Sequence, residues 1–177
     1  MEIKTERLHL REYNKDCLNY YYKLKSDPII WKYSTFIPMK NISKVESLLT
    51  DLMSLRNEGK DGFLSLFEIK NDQFIGEAGI ISSNRNANRC EIGYNLLPQY
   101  WNQGYATEMT LGLVSYAIDT LGYERVEALV LAENKPSCKV MEKSGFKCEG
   151  VLRHFNECGD RYRDVNYYGI ISSDIII

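Results

Sequence analysis

Between Tyr94 and Glu108 the chain reads YNLLPQYWNQGYATE, and these residue types at this spacing could hold an anion. A strand runs into Pro98, which breaks regular pairing because it lacks an amide hydrogen. A glycine-containing turn then opens a helix. The first turn of a helix has unpaired amide hydrogens and roughly half a unit of positive charge. Gly104 lets the main chain approach an anion closely, Ala106 is small, and Thr107 adds a hydroxyl donor. The amides of Gln103, Gly104, Tyr105, Ala106 and Thr107 could therefore cradle a pyrophosphate, with Asn102 beside them. A plainer reading also stands: a helix that begins after a loop, since short glycine patterns are weakly diagnostic. The segment is neither GxxxxGK[ST] nor GxGxxG after a strand, so a nucleoside-triphosphatase loop and a dinucleotide fingerprint are unsupported.

The surrounding pattern predicts the elements that must position this elbow. Thr5 to Tyr13 alternates, with Leu8 and Leu10 on one side, and predicts one half-buried strand. Helices are expected from Asp16 to Lys25 and after Ser43. Ser43 would cap the second, with Glu46 as capping-box partner, and Val45, Leu48, Leu49, Leu52 and Leu55 would form its apolar stripe. Between them, 29–40 is aromatic and irregular. Three strands follow (62–69, 74–82, 90–97), then the long helix carrying Ala106, Met109, Leu113, Ala117 and Leu121, stopped by Gly122. A strand at 125–132 and a short helix capped by Asn134 lead to two last strands, 146–155 and 162–171, around a turn at Cys158-Gly159-Asp160. Early antiparallel strands and a late strand–helix–strand unit predict an α/β (α+β) fold: a mixed, mostly antiparallel sheet of about seven strands with helices on both faces, in one domain spanning 1–177.

Composition narrows the function. The chain has 177 residues, 44% hydrophobic and 26% charged, which suits a folded globular domain. Twenty-two basic against 24 acidic residues leave a net charge of −2, without the basic footprint of a general nucleic-acid binder. No apolar run reaches the roughly 20 residues needed to span a bilayer, so no membrane partner is expected. The amino terminus lacks an apolar signal core, so a cytoplasmic location and reduced thiols are expected for the five cysteines. Their spacing does not suggest a metal site.

The elbow resembles the pyrophosphate motif of the GNAT superfamily of acetyl-CoA-dependent N-acyltransferases, Q/R-x-x-G-x-G/A. Here it reads Trp101-Asn102-Gln103-Gly104-Tyr105-Ala106, with Trp in place of Gln or Arg at the first position. This variant looks like the RimJ/RimL branch, whose founding members acetylate the N-terminal amine of ribosomal proteins. Three further segments are similar to that branch: Thr5-Glu6-Arg7-Leu8 with Leu10-Arg11, Asn134-x-x-Ser137 running to Glu142-Lys143-x-Gly145-Phe146, and Glu149-Gly150-x-x-Arg153 with Gly159-Asp160 and Asp164.

The resemblance implies acetyl-CoA as co-substrate and a primary amine as acceptor, either a protein N-terminus or a small amine. A non-catalytic CoA-binding sensor or scaffold is the alternative, and a homodimer is left open. The resemblance also implies a splayed strand whose main chain, at Asn95, Leu96 and Leu97, pairs with pantetheine amides, and it places Asn134 against the pantetheine arm. Ser137 matches the motif serine that would protonate or stabilise the CoA thiolate. It could equally be a first-turn serine bonded to the main chain. Glu91, sharing a strand face with Gly93 and Asn95, leads as general base over Glu127 and Glu157; a structural ion pair is the competing role. Trp31, Tyr33 and Phe36 lie where the superfamily builds its acceptor wall, although such aromatics are more often core. Cys138 and His154 read as structural.

Overall fold

The computed structural model describes residues 2–158 and 161–175. The amino-terminal segment is two strands, β1 (Ile3–Lys4) and β2 (Leu8–Arg11), joined by a tight turn. The expected single strand fails at Thr5, whose amide donates to the carbonyl of Leu8 at 2.9 Å and folds the chain back on itself. Leu8 and Leu10 are buried as the alternation predicts. A 3-10 turn at Lys15–Cys17 leads into α1 (Leu18–Ser26). The irregular stretch contains a further 3-10 turn, Ile30–Tyr33.

Helix α2 (Ile42–Asn57) is capped by Asn41, whose side chain accepts from the amides of Ser43 and Lys44. Ser43 lies inside the first turn, so the expected capping box is displaced by a residue with an equally good cap oxygen two positions earlier. Of the expected stripe, Val45 and Leu49 are buried, whereas Leu55 is exposed.

Strands β3 (Leu64–Glu68), β4 (Gln73–Asn84) and β5 (Arg89–Leu96) form the antiparallel meander. Helix α3 (Tyr105–Ser115) continues as one π-helical turn, Tyr116–Thr120, which sequence periodicity does not reveal. Then come β6 (Arg125–Leu131), α4 (Lys135–Lys143), β7 (Lys147–Cys158) and β8 (Arg161–Ile171). The turn expected at Cys158-Gly159-Asp160 falls on Gly159 and Asp160, outside the described residues.

Among the described residues the strands form one sheet of eight, one more than expected, in the order β1-β2-β3-β4-β5-β6-β8-β7. All neighbours are antiparallel except β5 and β6. On one face α3 and α4 bring Met109, Leu113, Ala117 and Met141 against Leu8, Leu66, Ile75, Ala78, Ile92 and Leu96. On the other, α1 and α2 bring Tyr21, Leu24, Val45 and Leu49 against Tyr13, Phe67 and Phe74. Removing a side chain such as Leu or Phe from water contributes about 1.5–3 kcal/mol, so these two layers clamp the sheet between them. No helix among the described residues is long and apolar enough to cross a membrane.

Candidate active site

The only parallel pair among the described strands opens. Strands β5 and β6 are registered at Arg89↔Arg125, Cys90↔Val126 and Glu91↔Glu127, and pairing stops there. Beyond Glu91, β5 stays on β4 while β6 stays on β8 through Leu131↔Val165. A gap therefore widens toward the carboxyl ends of both strands.

Which main-chain groups face the gap follows from the antiparallel register. The amide of Leu97 donates to the carbonyl of Ile75 at 2.9 Å, and Leu96 stands opposite Gly76. Antiparallel ladders alternate, so the main-chain groups of Asn95 turn toward Glu77 in β4. Those of Tyr94 and Leu96 turn toward the gap. The expectation for Asn95, Leu96 and Leu97 is thus corrected: of the three, only Leu96 presents an amide to the gap. Leu97 also accepts from the amide of Tyr100 at 3.0 Å. Tyr94 takes the place of the other two. Parity along one strand is visible in a sequence, but which parity meets which neighbour is not. Gly76 secures this register: a Cβ there would sit 2.2 Å from the carbonyl oxygen of Asn95.

The elbow closes the same end. Trp101, the departure from the Q/R position, donates its indole N–H to the carbonyl of Leu96 at 2.8 Å. Gly104 is the N-cap of α3 at φ 82°, in the left-handed region, and Asn102 has φ 59°. The first bond of the helix runs from the amide of Glu108 to the carbonyl of Gly104 at 3.0 Å. The amides of Tyr105, Ala106 and Thr107 therefore precede the intrahelical ladder. Gln103 is exposed and donates its side-chain amide to the carbonyl of Gln99. The phenol of Tyr105 is turned into the protein and donates to Glu68, so Tyr105 offers the elbow only its main chain.

Arg7 stands over this turn. Its guanidinium donates to the carbonyl of Gln103 at 3.1 Å, pairs with Glu108 at 2.6 Å and covers the Tyr105 ring at 4.4 Å. Burial pulls the Glu108 carboxyl upward, but bonds from the Thr5 hydroxyl and from Arg7 outweigh it and hold the group below its ordinary range. The amino-terminal turn thus delivers a cation to the helix start. Sequence reasoning finds Arg7 only as a member of a motif, because its target lies across the sheet.

Helix α4 supplies the hydroxyl. Asn134 caps it, accepting from the amide of Ser137 at 3.3 Å. The Ser137 hydroxyl does not bond back to the main chain; its oxygen lies 2.8 Å from the phenol oxygen of Tyr94. Burial pushes the Tyr94 phenol up to about 12, although the Ser137 contact pulls it down. Cys138 is buried, its sulfur accepting from the Asn166 side chain at 3.5 Å.

The acidic candidates separate by their partners. Among the described residues, Glu91 has no hydrogen bond or ion pair; burial first, then the charge of Glu127, raises its carboxyl above the ordinary value. Burial raises Glu127 too, yet bonds from Tyr167, Arg125 and Arg89 overcome this and hold it low. Glu157 is exposed on β7, opposite Tyr162. Glu91 lies about 10 Å along the strand from Tyr94, at the closed end of the gap.

A family model described as an acetyltransferase (GNAT) domain matches residues 7–147. The chain belongs to the GNAT acetyltransferases. It is 30% identical to an uncharacterized N-acetyltransferase, p20, from Bacillus licheniformis over 172 residues, 97% of each chain. Its fold matches the crystal structure of a GNAT-family acetyltransferase from Bacillus anthracis with a TM-score of 0.87 at 25% identity, covering 98% of this chain and 99% of that one. It also matches Mycobacterium smegmatis RimJ in complex with CoA-disulfide, with a TM-score of 0.89 at 18% identity, covering 100% of this chain and 90% of that one.

In this acetyltransferase the expected acceptor wall is only partly open, with Trp31 buried and Tyr33 and Phe36 half-buried. Trp31 is buried, donates its indole N–H to the carbonyl of Leu24 at 2.8 Å and packs 4.2 Å from Phe36, centroid to centroid. Both rings enclose the ammonium of Lys25, which lies 4.5 Å from Trp31, 5.2 Å from Phe36, 4.9 Å from Tyr21 and 5.6 Å from Phe63. The ammonium pairs at 2.7 Å with Glu77, which is fully buried. Tyr13 and the Asn95 side chain also bond to that carboxylate, at 3.3 and 2.8 Å. Trp31 and Phe36 are therefore walls of an internal ion-pair chamber, and a buried charge demands such partners. Tyr33 stays half-buried beside Lys32. Lys25 and Glu77 escape sequence reasoning, although Glu77 in the apolar run QFIGEAGI is an out-of-place charge that could have flagged them. His154 sits where the β7 register breaks, at φ 51°, with its amide on Asp164 and its ring stacked on Tyr162. No cluster of three or more His, Cys, Asp or Glu among the described residues is arranged around a metal.

Proposed function

We propose that this enzyme moves an acetyl group from acetyl-CoA directly to a primary amine, in the manner of the RimJ/RimL branch, with a protein N-terminal amine or a small amine as acceptor. The observation that carries the reading is the gap: two outward main-chain positions on β5, a helix start with Arg7 at its mouth, and the Ser137 hydroxyl lie around one opening. The residues fit the co-substrate. Amides from Gln103 to Thr107 and the Arg7 guanidinium suit a pyrophosphate. The main chain of Leu96 and Tyr94, with the Asn134 carboxamide, suits the amides of a pantetheine arm. RimJ from Mycobacterium smegmatis, of the same fold, is a CoA complex.

The reaction asks for little covalent chemistry. The amine nitrogen bonds to the acetyl carbon, the carbon–sulfur bond breaks, and one proton must leave the nitrogen. Ser137 donates a hydrogen bond to the departing thiolate, and the Leu96 or Tyr94 amide polarises the carbonyl oxygen. Glu91, too distant for direct contact with Tyr94, receives the proton through water. An N-terminal amine, with a pKa near 8, is partly neutral at pH 7, unlike a lysine side chain near 10.4. That difference favours a terminal amine over a lysine side chain.

Thiol release from acetyl-CoA, measured against N-terminal peptides and small amines, tests the assignment. Turnover with a peptide amine and a loss of about 100-fold in Ser137→Ala are expected, the scale of one lost charge-stabilising donor. Tight CoA binding without thiol release for any acceptor would instead leave a sensor. Glu91 also sets a pH signature. Its carboxylate must be ionised to accept a proton, and its value is raised above 4.5. Activity should therefore climb with pH along an acidic limb displaced above the ordinary carboxylate value. In Glu91→Gln that limb should vanish; an unchanged profile assigns the proton to another acceptor.

A further inference from the structure

The pairing of Tyr94 with Ser137 joins two elements that share no local sequence, the splayed strand and the first turn of α4. We infer that Tyr94 is a positioning residue: its phenol donates to the Ser137 oxygen and thereby aims the serine's single proton at the leaving sulfur. The inference rests on the reading of Ser137 given above and extends it to a residue that the motif does not include.

Geometry leaves either oxygen as donor at 2.8 Å, and acidity decides between them. A phenol is far more acidic than an aliphatic alcohol, and the alcohol oxygen is the better acceptor, so the favoured arrangement has Tyr94 donating. A serine hydroxyl has one proton. Once its oxygen accepts from Tyr94, that proton is free for a partner outside the pair. The main chain of Ser137 is already fixed by the bond from its amide to Asn134, so the rotor is held from two sides. Burial keeps the phenol protonated well past neutral pH, so the donor persists across the working range. A donor feeding a donor also strengthens the outer bond, by about 10–30%. No proton leaves Tyr94 in this arrangement. It sets direction, and the sulfur receives its hydrogen bond from Ser137.

The test is a double-mutant cycle on the whole enzyme, with Tyr94→Phe, Ser137→Ala and the pair, reading kcat, KM for acetyl-CoA and thermal melting. Tyr94→Phe deletes one oxygen and keeps the buried ring. We expect its kcat to fall about tenfold, the scale of one hydrogen bond, with KM unchanged. In the Ser137→Ala background the same change should cost nothing further, because its target is gone. Ser137→Thr, which retains a hydroxyl, should keep the sensitivity to Tyr94→Phe. If the two losses multiply in the double variant, or if Tyr94→Phe is fully active, the inference about Tyr94 is overturned while Ser137 stands. If Ser137→Ala is fully active, the serine reading itself fails, and the two failures are told apart.

Discussion

Replacing Lys25 by Met should destabilise the protein by about 3–5 kcal/mol, the usual cost of removing one partner from a buried ion pair. The ammonium is enclosed by Trp31, Phe36, Tyr21 and Phe63, and its carboxylate partner is completely removed from solvent. Without Lys25, Glu77 keeps only the Asn95 and Tyr13 side chains, which cannot neutralise a charge. The methionine fills much of the vacated volume, so the loss measures electrostatics more than a cavity. Urea denaturation gives the number directly. A second variant, Lys25→Met with Glu77→Leu, removes both charges and should recover much of the loss. If the double variant is no more stable than the single one, uncompensated charge is not the cause. The same pair also tethers α1 to β4 and, through Asn95, to the strand that borders the gap. Lys25→Met should therefore weaken CoA binding as well as stability.

The second large effect is expected at Gly104. Gly104→Val places a β-branched residue at φ 82°, with its Cβ 3.3 Å from the Arg7 guanidinium. Backbone strain of this kind costs of order 1–3 kcal/mol. The side chain would also stand between the first-turn amides and any phosphate. We expect the affinity for CoA to fall about 100-fold, equivalent to about 2.8 kcal/mol. Gly104→Asn separates the two causes, since Asn tolerates the left-handed region. It should melt close to the wild type and still bind CoA poorly. Calorimetry showing wild-type affinity in Gly104→Val would remove the elbow from the binding site.

These two positions differ in how far they can be read in advance. Gly104 is legible because its meaning is local: a glycine between a broken strand and a helix start implies a positive φ and an open amide turn, and the stretch from Pro98 to Tyr105 is enough to state it. The cap at Asn134 and the stop at Gly122 are legible for the same reason, as is the periodicity of Met109, Leu113 and Ala117. Ser137 is named by the motif it matches, but its partner is not. Tyr94 lies 43 residues earlier in the chain, and nothing in the spacing sets one oxygen beside the other.

The order and type of most elements, the apolar faces and the glycine turn that opens α3 are legible in the chain alone, because helix and strand periods and cap chemistry act within a few residues. Pairing across the sheet is settled only on folding. Register chose Tyr94 and Leu96 over Asn95 and Leu97 for the open edge, and folding put Arg7 at the helix start. Packing made Trp31 and Phe36 the walls of a chamber around Lys25. Main-chain direction alternates with every residue, so a strand's chemistry depends on which neighbour it meets on each side, and that choice is made by the whole core.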